Sequence, residues 1–243
     1  MTNFTILFTT DENELPHQEE YFYLLTESGQ ELRLRIHDYP EVYQIPGLYE
    51  YLVCEKLQYQ APQVISKLLI EQTTRDGINI NDLSILDVGA GNGISGKALT
   101  NLGVTSIFGL DIIPESTQAT QRDYPGVYQQ YYVEDLACLS EQTYQELKNK
   151  KLNVLLFSGS LYHLPFKALC SALSLLEGGG WLAITLRTSE MKQIKSENAR
   201  YLFETLVNRK ALKIIAEKEY QQRLTISGKP MMGVAIIAKI WAT

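Results

Sequence analysis

The densest chemical signal in these 243 residues is the run Leu86-Asp87-Val88-Gly89-Ala90-Gly91-Asn92-Gly93-Ile94-Ser95-Gly96. Closely spaced glycines let a chain turn sharply and bring its backbone against a ligand, where side chains would obstruct both. The run lies where a β-rich stretch must turn into a helix, so the bare N–H groups of the helix start can attract an anionic group. Two cofactor chemistries compete for such a loop. Gly91-x-Gly93-x-x-Gly96 formally satisfies the dinucleotide pattern G-x-G-x-x-G. Its register is wrong, because in that fold the first glycine directly follows the strand. That glycine is Gly89 here, and the third position then falls on Ile94. Asp87 would also set a carboxylate beside a pyrophosphate. An acid two residues before G-x-G-x-G suits a ligand that carries a positive ammonium group instead.

Further chemistry-bearing residues fall at the ends of later β-rich runs. Asp111 closes Phe108-Gly109-Leu110-Asp111, 18 residues after Gly93, near the roughly 20 expected of a ribose-binding acid. A carboxylate accepts two hydrogen bonds and so matches a cis-diol, a test that does not separate one adenosine cofactor from another. Tyr132-Val133-Glu134-Asp135-Leu136 and Leu156-Phe157-Ser158-Gly159-Ser160-Leu161-Tyr162-His163 end two more such runs. Open α/β sheets place ligands at these strand ends.

Asp-x-Gly-x-Gly-x-Gly of this form resembles the first motif of the class I S-adenosylmethionine-dependent methyltransferases. The resemblance extends, in the order of elements, from about Ile65 to the C-terminus. It implies S-adenosylmethionine as cofactor, with Asp87, Gly89, Ala90, Gly91, Asn92 and Gly93 at its aminocarboxypropyl part. Asp111, with Ile112 beside it, would take the ribose. Asp135 would meet the adenine amino group and Leu136 the ring, with Glu134 as a rival acid. Ser158 and Gly159 would border the transferred methyl. His163 resembles a histidine frequent at this point in small-molecule methyltransferases. It is either a general base, since imidazole titrates near neutral pH, or a structural, helix-capping residue. His17 and His37 lack such a context and are read as surface residues.

The same resemblance implies a small-molecule acceptor. No metal-ligating cluster is visible, no Asn-Pro-Pro-Tyr or Asp-Pro-Pro-Tyr follows Phe157, and no Pro-Cys nucleophile is present, so nucleic acid is not an expected partner. Acceptor specificity in this family usually comes from the N-terminal extension, which here carries Tyr39, Tyr43, Tyr49 and Tyr51. Tyr43 and Tyr49 either lid the cofactor and line the acceptor site or simply pad the sheet. Two other functions stay open: a non-catalytic S-adenosylmethionine-binding sensor or partner subunit, and a nicotinamide-dependent oxidoreductase.

The elements that must position these residues follow from periodicity. Tyr21–Thr26 and Glu31–Asp38 alternate apolar residues around Glu-Ser-Gly-Gln, which predicts a β-hairpin. An irregular Tyr/Pro stretch follows, then helices over Gly47–Leu57 and Pro62–Arg75, the second opened by Pro and stopped near Gly77. From Ser84, strands (Ser84–Val88, Ser106–Leu110, Val127–Val133, Leu152–Phe157, Trp181–Leu186) alternate with helices. One of these helices is capped by Ser140, one spans Pro165–Leu176, and one, capped by Ser196, buries Leu202, Phe203, Leu206 and Val207. Repeated β-α units predict a doubly wound, mostly parallel α/β sheet. Ala211–Ile226 and Met231–Trp241, flanking Ser227-Gly228-Lys229-Pro230, predict an antiparallel finish. Residues 1–60 are expected to pack as an extension on a core of residues 61–243.

Composition sets outer limits. Net charge is −6, unevenly spread: from Trp181 onward there are 11 Lys and Arg against 5 Asp and Glu. An acidic body disfavours sequence-independent nucleic-acid binding, and the basic end is either a solvated face or an attraction for an anionic acceptor. The first twenty residues carry no Lys or Arg, so no secretory signal is read. No stretch approaches the roughly 20 apolar residues that span a bilayer. A soluble, cytoplasmic protein is expected, its three separated cysteines buried and reduced. Oligomeric state is not legible.

Overall fold

A computed structural model describes residues 4–8, 15–188 and 211–241. A seven-stranded sheet runs β6-β5-β4-β7-β8-β10-β9. Its strands are β4 (Ser84–Val88), β5 (Ser106–Asp111), β6 (Gln130–Val133), β7 (Val154–Ser158), β8 (Trp181–Arg187), β9 (Leu212–Leu224) and β10 (Pro230–Ile240). β4 to β8 pair in parallel, whereas β10 is antiparallel to both β8 and β9. Parallel neighbours require crossovers. Among the described residues these are supplied by α4 (Ile94–Asn101), α5 (Pro114–Asp123), α6 (Glu141–Asn149) and α7 (Phe166–Leu175), with α3 (Ala61–Arg75) leading into the sheet. The expected doubly wound α/β fold with its antiparallel C-terminal strand is thus what the chain forms.

Both faces of the sheet are covered, which is why its strands read as nearly continuous apolar runs. Successive side chains point to opposite faces. Ile85, Val154, Leu156, Trp181 and Ala183 therefore meet Ala61, Ile65, Leu68 and Leu69 of α3. Leu86, Val88, Leu155 and Phe157 meet Leu147 of α6 and Ala168, Leu169, Ala172 and Leu175 of α7. The α3 residues recur at the spacing of one helical stripe, and each fully buried Leu or Ile contributes roughly 1.5–3 kcal/mol.

Two strand boundaries differ from those expected. β7 starts at Val154, just after Asn153, whose carboxamide accepts from Ser84 N at 2.8 Å and donates to Asp82 O at 2.7 Å. β6 starts at Gln130, after a turn in which Val127 N reaches Tyr124 O. Ser140 caps α6 as expected, accepting from Thr143 N. The helix expected after Ser196 lies outside the described residues, as does the side chain of His17. Cys138 and Cys170 are exposed, contrary to expectation, because they sit on a turn and on the outer side of α7. Cys54 is partly buried.

The N-terminal segment is richer than a hairpin. β1 (Phe4–Phe8) adds to β2 (Tyr21–Thr26) and β3 (Glu31–Arg35), and Ile6 pairs with Leu24 over a buried Phe22. β3 stops at Arg35, whose N and Nε both donate to the Asp38 carboxylate at 2.8 Å. The stretch read as irregular contains α1 (Tyr39–Gln44), with Pro40 tolerated in its first turn. The helix expected over Gly47–Leu57 is a single α-turn, α2 (Leu48–Glu50), that widens into a π-helix over Tyr51–Lys56. The wider turn lets Leu52 and Leu57, five residues apart, both bury completely.

This segment is tied to the far end of the chain. Glu20 and Arg223, 3% and 5% exposed, form a buried ion pair in which the second Glu20 oxygen accepts from Ile226 N at 3.0 Å. Removing one partner of such a pair costs roughly 3–5 kcal/mol, because the other charge is left uncompensated. Glu20→Ala should therefore lower the urea midpoint sharply at an unchanged slope. An unaltered midpoint would show that the pair is not what holds the two ends together.

Candidate functional site

The strand order reverses at β4, with β5 on one side and β7 on the other. A crevice opens at such a switch point beyond the strands' C-terminal ends. Here it is a cavity of about 440 Å³. Its floor is the turn from β4 into α4. Gly89 and Gly91 adopt φ of +72° and +54°, and neither position has room for a side chain. A Cβ on Gly89 would lie 2.5 Å from Ser160 Cβ, and one on Gly91 would lie 2.6 Å from the Tyr43 hydroxyl. The loop is bonded from below. Gly89 N and Ala90 N donate to Leu110 O, Gly91 N donates to Asp111 Oδ2 at 2.8 Å, and Gly91 O accepts from the Thr120 and Tyr131 hydroxyls.

Gly89, Ala90, Gly91, Asn92, Asp111, Ile112, Asp135, Leu136, Ser158 and Gly159 all border this cavity. Gly93, the residue that caps α4, does not border it; Thr120 and Val127 crowd its Cα from behind. Asn92 is 1% exposed and its Oδ1 has no hydrogen-bond partner, an acceptor held ready at the wall. Asp111 lies against the loop with Oδ1 on Ile113 N at 3.0 Å. Burial raises its pKa, against the pull of the Ile113, Gly91 and Ile112 amides.

Asp87 departs from expectation. It does not border the cavity but lies beneath the loop, 1% exposed, accepting from the Tyr128 hydroxyl at 2.6 Å. Burial pushes its pKa up to about 7; the Tyr128 hydrogen bond opposes this and the Asp111 charge adds to it. Glu134 and Asp135 both border the cavity, and they differ in hydrogen bonding. Both Glu134 oxygens are taken by Ser140 and Thr143 at the start of α6, and the Thr143 bond leads in lowering its pKa. Asp135 bonds Ala137 N through Oδ1 only, which leaves Oδ2 for a ligand.

The opposite wall is aromatic. Tyr39, Tyr43, Tyr49 and Tyr59 border the cavity. Tyr39 stacks on Tyr43 at 5.6 Å, and Tyr43 meets Tyr49 edge-on at 5.1 Å. Burial raises the pKa values of all four, Tyr39 to about 12, so all four present neutral hydroxyls. Tyr51 points elsewhere, onto Phe4. His163 borders the cavity, its pKa lowered by burial and then by the Arg187 charge. His37 is not the surface residue expected: the turn after β3 sets it in the same cavity, 6.1 Å from the His163 ring. Sequence reasoning missed Tyr59 and Tyr128 as well. Neither belongs to a motif, and only tertiary packing brings the Tyr59 hydroxyl within 2.9 Å of where a Gly159 Cβ would stand. Among the described residues, no group of three or more His, Cys, Asp or Glu is placed to hold a metal ion, and no helix is long and apolar enough to cross a membrane.

A family model described as a methyltransferase domain matches residues 86–184, the stretch from the end of β4 through most of β8. No curated protein matches the sequence significantly. Among solved structures, the chain is similar to the glycopeptide N-methyltransferase MtfA complexed with S-adenosylmethionine, at 14% identity and a TM-score of 0.51 over 76% of this chain and 95% of that one. It is also similar to the CurJ carbon methyltransferase, at 13% identity and 0.52 over 74% and 54%. A third likeness is to a protein of the conversion of a disulfide bond into a thioacetal group during echinomycin biosynthesis, at 14% and 0.50 over 70% and 80%. At these identities the likeness is one of fold.

The buried Asp87 makes stability depend on pH in a defined direction. Its pKa is raised on folding, so the native state binds more protons between the unfolded value of about 3.9 and about 7. Stability should fall as pH rises through that window and stay lower above it. Asp87→Asn should flatten this part of the profile and raise the melting temperature of the ligand-free protein above pH ~7. A profile that Asp87→Asn leaves unchanged would mean that the carboxylate is already ionised and compensated.

Proposed function

We propose that this chain, whose residues 86–184 match a methyltransferase domain, is a class I S-adenosylmethionine-dependent methyltransferase that methylates a small molecule held between the β-strand ends and the N-terminal tyrosine wall. The observation that carries this reading is the single cavity bordered at once by the glycine loop, Asp111, Asp135, Ser158 and His163. Its residues fit the cofactor. The glycine turn leaves a cradle that a Cβ would fill, and the orphaned Asn92 Oδ1 supplies an acceptor.

In this reading, the loop from Gly89 to Asn92 embraces the aminocarboxypropyl part, while Asp87 attracts its ammonium from one layer below and Gly93 holds the turn into α4. Asp111 takes the ribose hydroxyls with the lone pairs left free by Gly91 and Ile113. Asp135 Oδ2 accepts from the adenine amino group, with Leu136 and the 63% exposed Ile112 against the ring. When bound, the cofactor supplies an electrophilic methyl on a sulfonium whose leaving group is a neutral thioether. The protein aligns the acceptor and excludes water. Ser158 and Gly159 border the transfer position, Tyr43 and Tyr49 close over it, and neutral His163 takes the acceptor's proton. Residues 1–60 serve as the acceptor-defining unit and residues 61–243 as the cofactor-binding one.

Calorimetry with S-adenosylmethionine, S-adenosylhomocysteine and NADH tests the cofactor assignment. The first two should bind and the third should not. Asp111→Ala should weaken binding by roughly 1–3 kcal/mol, the cost of orphaned partners; an unchanged affinity would remove Asp111 from the site. Methyl-labelled cofactor incubated with a panel of small hydroxyl and amine compounds tests the acceptor class. With His163 as base, the rate should fall only below the ordinary imidazole value of about 6.5, since its pKa is lowered, and His163→Gln should abolish that acid limb. An acid limb that persists in the variant would assign the proton transfer elsewhere.

A further inference from the structure

Beside the main cavity lies a smaller one of about 60 Å³, between the N-terminal wall and the edge strand β9. His37, Tyr39, Tyr49, Tyr59, Gly159 and His163 border both cavities. The small one contains none of the carboxylates assigned to the cofactor, and in their place it has Gln222 and Arg223.

The backbone is arranged to bring Gln222 there. Met231 pairs with Arg223 and Met232 with Gln221, so Gln222 is the extra residue of a β-bulge. In a regular strand neighbouring side chains point to opposite faces, yet Gln222 and Arg223 are both buried, at 6% and 5% exposure. Bulges re-aim side chains in this way beside active sites. Across the ladder, a Cβ on Gly233 would lie 2.9 Å from Gln222 Oε1 and 3.1 Å from its Cβ, so a glycine there leaves the room that the carboxamide occupies. Gln60 N bonds the Gln222 backbone oxygen at 2.9 Å and Leu224 N bonds Leu57 O at 2.6 Å, which fixes this stretch of β9 against the segment leading into α3. Arg223 is spoken for by Glu20. The Gln222 Oε1 is buried and has no hydrogen-bond partner, a state that is costly unless something completes it.

We propose that Gln222 is the residue that recognises the methyl acceptor, accepting an O–H or N–H hydrogen bond from the polar substituent of a planar molecule whose ring lies in the larger cavity against His37, Tyr49, Tyr59 and His163 and whose substituent enters the smaller one. Most of the walls are rings, which favour a flat body, and the unpartnered Gln222 Oε1 is a polar anchor that fixes orientation. The inference rests on the methyltransferase reading of the larger cavity and adds to it the acceptor's chemical class and its specificity residue.

Phenol and toluene, titrated into protein saturated with S-adenosylhomocysteine and followed by ligand-observed NMR, separate shape from the polar anchor. Toluene is the more readily desolvated ring, so tighter binding of phenol requires a hydrogen-bonding partner. Phenol should bind up to about tenfold more tightly in the native protein, the size of one net hydrogen bond. Gln222→Leu and Gln222→Met should bring the two probes together while leaving S-adenosylhomocysteine affinity intact, since Gln222 does not border the larger cavity. Equal binding of the two probes to the native protein, no binding of phenol, or a preference that survives in either variant would overturn the proposal. Failure of S-adenosylhomocysteine to bind would overturn the cofactor reading instead, and the phenol–toluene comparison without it would still judge Gln222.

Discussion

The Asp111 carboxylate bridges the two strand ends on which the rest of the site is built. One oxygen holds Gly91 N of the loop after β4 and the other holds Ile113 N just beyond β5. The loop's positive-φ glycines have no side chains of their own to fix them. Its position therefore depends on these backbone bonds, on Leu110 O beneath, and on the Thr120 and Tyr131 hydroxyls that take Gly91 O. From above, the Tyr43 hydroxyl and Ser160 leave just the width of a bare backbone. A chain so confined presents one surface to the cavity, at no ordering cost when a ligand arrives.

Two carboxylates in this small volume set the electrostatics. Asp87 and Asp111 are both buried, and the Asp111 charge adds to the cost of ionising Asp87. The neighbouring tyrosines stay neutral and supply one hydrogen bond, from Tyr128 to Asp87, but no compensating charge. A positively charged ligand group near the loop relieves this strain by Coulomb attraction, strongest where water is excluded. The ligand-free protein thus carries a deficit that a cation corrects, and the sulfonium and ammonium of S-adenosylmethionine are cations.

The other half of the site is assembled from distant pieces of chain. Tyr39, Tyr43, Tyr49 and Tyr59 come from the N-terminal segment, His163 from the turn after β7, and Gln222 from the edge strand β9. The Glu20–Arg223 pair and the backbone bonds from Gln60 and Leu224 hold the first of these against the last. An edge strand normally offers unpaired amides to any passing strand; here the N-terminal segment takes up part of that edge and walls the cleft at the same time.

Local sequence was enough for whatever obeys a short-range rule. The glycine spacing, the acids at the ends of β4, β5 and β6, the α3 stripe and the tight C-terminal turn were legible because turn sterics, strand alternation and helical periodicity act over a few residues. Asp87 shows the boundary of that reasoning: its type and position in the motif were plain, but its place beneath the loop rather than in the cavity depends on Tyr128, 41 residues later. The different hydrogen bonding of Glu134 and Asp135 likewise depends on where the start of α6 puts Ser140 and Thr143. His37, Tyr59 and Gln222 follow no pattern at all. They became parts of the site when the N-terminal segment packed across the sheet edge and a one-residue bulge turned β9 inward, and long-range packing of that kind is specified by the summed shape of three cores rather than by any local run of residues.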